Sequence, residues 1–261
     1  MNKISILFIV SILINFASCS AQPKTISSLA YDKHSCLNIT SEFIFNQDSY
    51  TVYIQENNDY VPYLVLENTD DGRTLLLRKN PIFLNLNEDS PSLLMFDDKT
   101  SFYENSNIDT YLTKEYIRSV ASVSPYILLS DIEIPSEESI GIYSNATSYI
   151  KRYIFLLSYK EVFGSSSMYP NDSKEEQLLY FKNAFESPSK DVEKLGCSWW
   201  LRTAYTINHS SVYYVTADGN TGIDHIDIEK SVRPAFYVSS DLKIRKDFIY
   251  DDHFYVLDIP D

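Results

Sequence analysis

Two acidic residues on one predicted strand are the clearest candidates for acid–base chemistry in this sequence. Asp131 and Glu133 are two positions apart in an alternating segment, so their side chains would point to the same face. A carboxylate pair on one face can act as general acid and general base. Glu137 and Glu138 follow closely, which favours a solvated acidic edge instead. We therefore predict no catalytic residue, with an acidic cleft at Asp131 and Glu133 as the alternative.

The sequence offers little for metal or redox chemistry. No H-E-x-x-H or C-x-x-C pattern occurs, and the histidines are scattered. Residues 218–224 place oxygen-bearing side chains at alternating positions, as a calcium loop does, but the sixth position is not the glycine that such a loop needs. We predict a hairpin turn there, and neither a metal ion nor a cofactor. The histidines are His34, His209, His225 and His253.

Tryptophan and arginine are concentrated in two short motifs, W-W-L-R-T from Trp199 and V-R-P-A-F around Arg233. Neighbouring strand residues face opposite sides, so Trp199 and Trp200 cannot fill the same face of a sheet. Arg202 and Arg233 lie among apolar residues, where a guanidinium group is costly unless it meets a carboxylate or several carbonyls. We predict that both arginines are clamps of the fold. Ligand binding is the alternative, and it would require the two groups to converge on one exposed cleft.

The N-terminal segment predicts export. Lys3 precedes an apolar run over residues 4–14, which is too short to span a bilayer and is typical of a secretory signal. Residues 17–19 (A-S-C) resemble the lipobox of bacterial lipoproteins, in which the cysteine is lipidated and becomes the new N-terminus. The resemblance implies lipidation at Cys19. Cleavage near Ala21, which would release a secreted protein, is the alternative.

The chain is predicted to have a simple organisation. Residues 1–18 form the signal peptide, and residues 19–29 form a linker of mostly small and polar residues behind the lipid. Residues 30–261 form a single globular domain, because this length suits one large domain and no repeat or low-complexity block interrupts it.

The mature chain is strongly acidic and poor in cysteine. Its formal charge of −14 becomes −15 once Lys3 is removed, and such a field repels phosphate backbones, so we predict no nucleic-acid binding. Beyond Cys19, only Cys36 and Cys197 remain. An exported pair can form a disulfide, and two small buried thiols are the alternative.

The residue pattern predicts many strands and few helices. Gly72 in an Asp-Asp-Gly-Arg stretch predicts a tight hairpin. Serine-to-acid capping patterns predict helices over residues 107–120 and 174–186, and a short one between Ser158 and Gly164. The predicted strands are 51–55, 63–67, 74–79, 82–86, 126–132, 153–157, 199–203, 211–217, 223–228, 235–239 and 254–258.

The order of the motifs F-L-L-S, W-W-L-R-T and V-R-P-A-F resembles a bacterial cell-surface family of unknown function, over about residues 63–238. The C-terminal part of this region, with an aromatic strand, a hairpin and a final strand that contains an arginine, is similar to C-type-lectin-like domains and formylglycine-generating enzymes. The resemblance implies an α+β fold, with a strand-rich mixed or antiparallel sheet, two main flanking helices, and both closing motifs in one sheet. The calcium-ligating motifs of lectins and the paired redox cysteines of those enzymes are missing.

Together these observations favour a surface-displayed, lipid-anchored, non-enzymatic binding domain. Its expected partners are an envelope glycan or protein, and the membrane through the lipid. An extracytoplasmic envelope enzyme of hydrolase type, using an acidic or histidine-containing cleft, is the first alternative. A structural component of the envelope is the second.

Overall fold

The computed structural model describes residues 24–31, 50–82, 93–142, 144, 146–165, 175–186, 195–249 and 252–259. Strands make up most of the regular structure in these residues and helices are few, so the fold is strand-rich, α+β or mostly β. None of the described helices is long and apolar enough to cross a membrane.

The strands are short and follow one another closely along the chain. The described residues also form 3₁₀ helices over Ile26–Leu29, Ser124–Tyr126 and Glu137–Ser139. The strands are β1 (Thr51–Glu56), β2 (Asp59–Asn68), β3 (Arg73–Arg78), β4 (Leu94–Met95), β5 (Ile127–Leu128), β6 (Ser130–Pro135), β7 (Thr147–Arg152), β8 (Trp199–Ala204), β9 (Ser211–Val215), β10 (Thr221–His225), β11 (Glu229–Lys230), β12 (Ala235–Ser239), β13 (Ile244–Ile249) and β14 (Asp252–Leu257).

The largest sheet is mixed and has seven strands in the order β13-β14-β1-β2-β3-β12-β5. β1 and β14 are parallel, and the other neighbours are antiparallel. Leu75, Leu76 and Leu77 of β3 are all buried, although successive residues face opposite sides. Both faces of the sheet are therefore covered at its centre.

The hairpin between β2 and β3 forms at the predicted glycine turn. Gly72 has a φ of +83°, a left-handed conformation that glycine adopts without a steric penalty. A bulge between Val65 and Glu67 shifts the register of the pair, and such bulges increase the local twist.

The remaining strands form a three-stranded sheet, β10-β9-β8, and the two-stranded pairs β6-β7 and β4-β11. The F-L-L-S segment joins the three-stranded sheet to the large one. Phe155 exchanges two backbone hydrogen bonds with Ala235 of β12, at 2.9 and 2.8 Å, and the Leu157 carbonyl accepts the Arg202 amide of β8 at 2.9 Å. Both sheets therefore contribute to one hydrophobic core.

The prediction that the two closing motifs share one sheet is wrong. Trp199 and Arg202 lie on β8 of the three-stranded sheet, whereas Ala235 begins β12 of the large sheet. Between them, Ser231 makes a single bridge to Trp199. The chain then leaves that pairing ahead of Pro234, which has no amide hydrogen to donate to a ladder.

The first predicted helix forms, with an irregular middle. Ser106 caps it, because its hydroxyl oxygen accepts the Asp109 amide at 3.2 Å. Helix α1 (Asn107–Tyr111) continues into a π-helical turn (Leu112–Tyr116) and then into α2 (Ile117–Ser119). The predicted range is thus confirmed, but no residue pattern indicated the wider π-helical turn.

The short predicted helix is confirmed in detail. Helix α3 (Tyr159–Phe163) begins with a capping box, in which Ser158 and Glu161 each accept the other's backbone amide. Gly164 ends the helix at a φ of +76°. A capping box satisfies amides that a helix start otherwise leaves without partners.

The second long helix is shorter than predicted. Helix α4 (Leu179–Glu186) begins five residues after position 174, and the predicted cap, Ser173, lies outside the described residues. Residues 175–178 are not helical. Leu178 donates its amide to the Glu161 carbonyl of α3 at 2.9 Å, which holds this stretch against the shorter helix.

One further predicted strand does not form, and a second is not tested. The strand predicted over residues 153–157 is replaced by β7, which ends at Arg152, and by the isolated bridge of Phe155. The strand predicted over residues 82–86 lies almost wholly outside the described residues.

The last part of the predicted linker is packed. Ile26 and Leu29 are buried, and the Ile26 amide donates to the Leu242 carbonyl at 2.8 Å. Thr25 forms a bridge with Lys243 next to β13. The body of the protein therefore includes residues 24–29, because apolar residues three apart let this short helix bury one face.

Candidate functional site

Arg202 is a buried clamp held by four acceptors. Its side chain is 1% exposed, and it donates to the carboxylates of Glu161, at 2.7 Å, and Glu175. It also donates to the backbone carbonyls of Glu133, at 2.9 Å, and Leu156, at 2.6 Å. Carboxylates thus occupy the places that an anionic ligand would need.

Four carboxylate residues lie around a pocket of about 200 Å³ beside Arg202. Asp131 and Glu133, the predicted acidic pair, both reach it, Asp131 from an exposed position and Glu133 from a buried one. Sequence reasoning missed the other two, Glu161 and Glu175. The lining residues are Asp131, Ile132, Glu133, Tyr149, Glu161, Glu175, Arg202 and Tyr237.

The carboxyl group of Glu175, which lines this pocket, has a raised pKa. Burial raises the pKa of its carboxyl to about 7, and the neighbouring charge of Glu161 adds to the rise, while Arg202 opposes it. Glu175 also accepts a hydrogen bond from the Ser158 hydroxyl. A carboxyl group that titrates near neutrality beside a second carboxylate is suited to proton transfer.

Arg233 lies elsewhere in the core and is 0% exposed. Its Nε donates to the Arg78 carbonyl at 3.1 Å, and its guanidinium carbon stands 4.7 Å from the centroid of the Trp199 ring. Arg202 and Arg233 are therefore both buried, and the pocket beside Arg202 does not include Arg233 among its described lining residues.

The two tryptophans are both fully buried and pack against different neighbours. Trp199 contacts Phe181 of α4. Trp200 meets Phe96 edge-on at a centroid distance of 5.8 Å, and its indole nitrogen donates to the Leu94 carbonyl at 2.9 Å. The Nζ atom of Lys230 lies over the Trp200 ring, 5.0 Å from the ring centroid. Neither tryptophan forms an exposed recognition patch.

A second buried network involves Arg78, which sequence reasoning did not single out. It forms a bidentate pair with Glu56, at 2.8 and 3.1 Å. The hydroxyls of Tyr63 and Tyr116 donate to the same carboxylate, and burial raises the pKa of both phenols well above the usual value. All four side chains are buried, so the network stabilises the large sheet against the helix after Ser106.

An aromatic cleft of about 330 Å³ lies where the β9–β10 turn approaches helices α3 and α4. Phe163 and Phe185 form its apolar wall, with parallel rings 5.4 Å apart. Residues 218–221 of the turn form the polar side. This is the turn that the sequence predicted, and Thr221 pairs with Val215 across the hairpin.

The histidine and cysteine side chains that the structure describes are not gathered into a site. Among the described residues, no group of three histidine, cysteine or acidic side chains could hold a metal ion. His225 pairs with Asp227 at 2.6 Å on the surface, and His209 packs against Gly141. Cys197 is half-buried. Cys19, Cys36 and His34 lie outside the described residues, as does the side chain of His253, so lipidation and the disulfide stay predictions.

Comparison with known proteins gives a family and no activity. No curated protein and no solved structure is significantly similar to the chain. A family model described as "Domain of unknown function (DUF6273)" matches residues 71–240, which is more than half of the chain and runs from the β2–β3 turn to the end of β12. The chain therefore belongs to the DUF6273 family of domains of unknown function.

Proposed function

We propose that this protein is a lipid-anchored, non-enzymatic binding domain displayed outside the cytoplasmic membrane of a bacterium. The export signal over residues 1–18 and the A-S-C motif at Cys19 support the location. A C-type-lectin-like arrangement stays a proposal from the order of the closing motifs; the mixed, strand-rich body is in keeping with it, whereas the location of the two motifs in different sheets is not.

One observation carries the binding role: the motif residues are committed to internal contacts, while an aromatic cleft reaches the surface. Arg202, Arg233 and both tryptophans are buried, and each contacts carboxylates, carbonyls or rings of the protein itself. Phe163 and Phe185 are instead half-exposed beside a polar turn. An apolar wall with a few polar groups beside it is the usual make-up of a ligand site.

The lipid would hold this domain close to the membrane. Only residues 20–23 lie between Cys19, the proposed lipid attachment, and Lys24, whose carbonyl accepts the Ile244 amide at 2.9 Å. The five chain steps from Cys19 to Lys24 span at most about 18 Å when fully extended. The ligand would then be a component of the envelope near that membrane rather than a distant surface.

Anchoring is tested by Cys19→Ala in the native host. We expect the variant to move from the membrane fraction to the soluble extracytoplasmic fraction, because the lipid is its only proposed attachment. Ser18→Ala, which keeps the cysteine, is the matched control and should stay with the membrane. If Cys19→Ala remains membrane-bound, lipid anchoring is excluded.

Binding is tested with the mature chain from residue 20 onwards, immobilised and exposed to solubilised native envelope. We expect retention of a specific glycan or protein that competes with free mature chain. A chain unfolded by urea is the control for non-specific adsorption. Retention of nothing beyond that control would refute the binding role.

A hydrolytic enzyme is the second candidate, and the carboxyl group of Glu175 is the observation that favours it. This group has a pKa of about 7 and lies beside Glu161. Glu133 and Asp131 line the same pocket. We would measure fragments released from purified peptidoglycan by the wild type and by Glu175→Gln. Release that the substitution abolishes would replace the binding proposal with catalysis; no release by the wild type would remove this candidate.

A further inference from the structure

The aromatic wall of the cleft is the outer end of a row of stacked rings that begins in the core. Phe163 lies parallel to Phe185, with an interplanar angle of 8°. Phe185 stacks on Phe181 at 6.0 Å, and Phe181 lies 6.5 Å from Trp199. Trp199 and Phe181 are fully buried, whereas the two outer rings are half-exposed. The row therefore fixes the outer rings in place before any ligand arrives.

The polar side of the cleft has unused hydrogen-bonding capacity in its side chains. Part of its backbone is already paired, since the Thr216 amide donates to the Asn220 carbonyl at 2.7 Å and the Gly219 amide donates to the Thr216 carbonyl at 2.9 Å. The side chains of Asp218, Asn220 and Thr221 are exposed, and none makes a hydrogen bond to another described side chain or backbone group. A rigid turn thus presents a carboxylate, an amide and a hydroxyl beside the rings.

This chemistry selects a neutral ligand with several hydroxyl groups. An anion would meet Asp218 in a chain that is already strongly acidic. A cation is best held by several rings that enclose it, and these two rings lie flat against each other. A sugar ring presents both features that the cleft requires: an apolar face of C–H groups for the phenylalanines, and hydroxyls that donate to and accept from the turn.

We propose that the cleft between Phe163, Phe185 and residues 218–221 binds a neutral oligosaccharide. The inference rests on the proposed binding function and names its ligand class. The cleft volume of about 330 Å³ suits one or two sugar units, so the site would bind only part of a longer glycan chain.

The test is a titration of the mature chain with neutral tetrasaccharides of N-acetylglucosamine, glucose, mannose and xylose, followed by calorimetry. A tetragalacturonate and a chitosan tetramer serve as acidic and amine-bearing probes. Asn220→Ala removes an exposed amide of the rim, and Phe163→Leu keeps an apolar side chain but removes a ring. Asp70→Ala, in the exposed turn between β2 and β3, is the matched control.

We expect at least one neutral tetrasaccharide to bind, with affinity at least about fivefold weaker in Asn220→Ala and Phe163→Leu and unchanged in Asp70→Ala. Thermal melts identify a variant that fails to fold, and for such a variant Thr221→Ala takes its place. Binding of only charged probes, binding of none, or neutral binding that both cleft variants leave unchanged would overturn the inference. If the inference fails in this way but the immobilised mature chain still retains a specific envelope component, the broader binding role stands. If the immobilised chain also retains nothing, both the oligosaccharide site and the binding role are refuted.

Discussion

Replacing Arg202 by methionine should destabilise the protein severely. The substitution keeps an unbranched apolar side chain but leaves Glu161 and Glu175, both largely buried, without their cation. The carbonyls of Glu133 and Leu156 lose a donor as well. Removing one partner from a buried ion pair costs about 3–5 kcal/mol. That loss is a large share of the total stability of an ordinary domain, which is about 5–15 kcal/mol.

The measurement is the free energy of unfolding of the mature chain from urea titrations followed by circular dichroism. Arg245→Met is the matched control, because Arg245 pairs with Asp247 at 2.7 Å while half-exposed, and such surface pairs contribute at most about 1 kcal/mol.

A second variant separates uncompensated charge from lost packing. Adding Glu161→Gln and Glu175→Gln to Arg202→Met removes the buried negative charges, and glutamine can still serve in the capping box of α3. We expect the triple variant to recover about 2 kcal/mol or more. A cost below about 1 kcal/mol for Arg202→Met, or no recovery in the triple variant, would refute the view that Arg202 is an electrostatic clamp.

Two further predictions concern protons and backbone geometry. The pKa of Glu175 is raised from 4.5 to about 7, so the folded state holds its proton more tightly, and its contribution to stability is lost as pH rises from about 4.5 through 7. The free energy of unfolding of the wild type should therefore fall with rising pH by up to about 3 kcal/mol more than that of Glu175→Gln. Parallel curves of unfolding free energy against pH for the two proteins would contradict this prediction. Gly72→Ala and Gly141→Ala both force alanine to a positive φ, at about 1–2 kcal/mol each. Gly141→Ala should cost at most about 1 kcal/mol more, because its new methyl carbon would lie 2.2 Å from the ring of His209, an exposed side chain that can rotate away; a much lower melting temperature than that of Gly72→Ala would show that the ring is held in place.

Local signals predicted the local parts of this fold well. The hairpin at Gly72 and the helix between Ser158 and Gly164 depend on residues within a few positions of one another, and both form where the sequence placed them. The burial of Arg202 among acceptors also agrees with the argument that a guanidinium group in an apolar motif must find partners.

Long-range contacts could not be predicted from the sequence. The partners of Arg202 are Glu161 and Glu175, which lie 41 and 27 positions away, and no local pattern marks either one as a partner of Arg202. Strand β7 was missed because T-S-Y-I-K-R has a single buried residue, Ile150, and its other side chains point outward or lie at the rim. The cleft between Phe163 and the β9–β10 turn was missed for a similar reason, since it exists only once two helices and a hairpin meet.

The large sheet extends beyond the stretch that the family shares. Strands β1, β2, β13 and β14 all lie outside residues 71–240, so four of the seven strands come from the flanks. In a fragment trimmed to the family boundaries, β3 would become an edge strand, because the backbone amides and carbonyls that pair with β2 would have no partner. Exposed edge strands pair with other chains and promote aggregation. Recombinant work on this protein should therefore retain the sequence on both sides of residues 71–240.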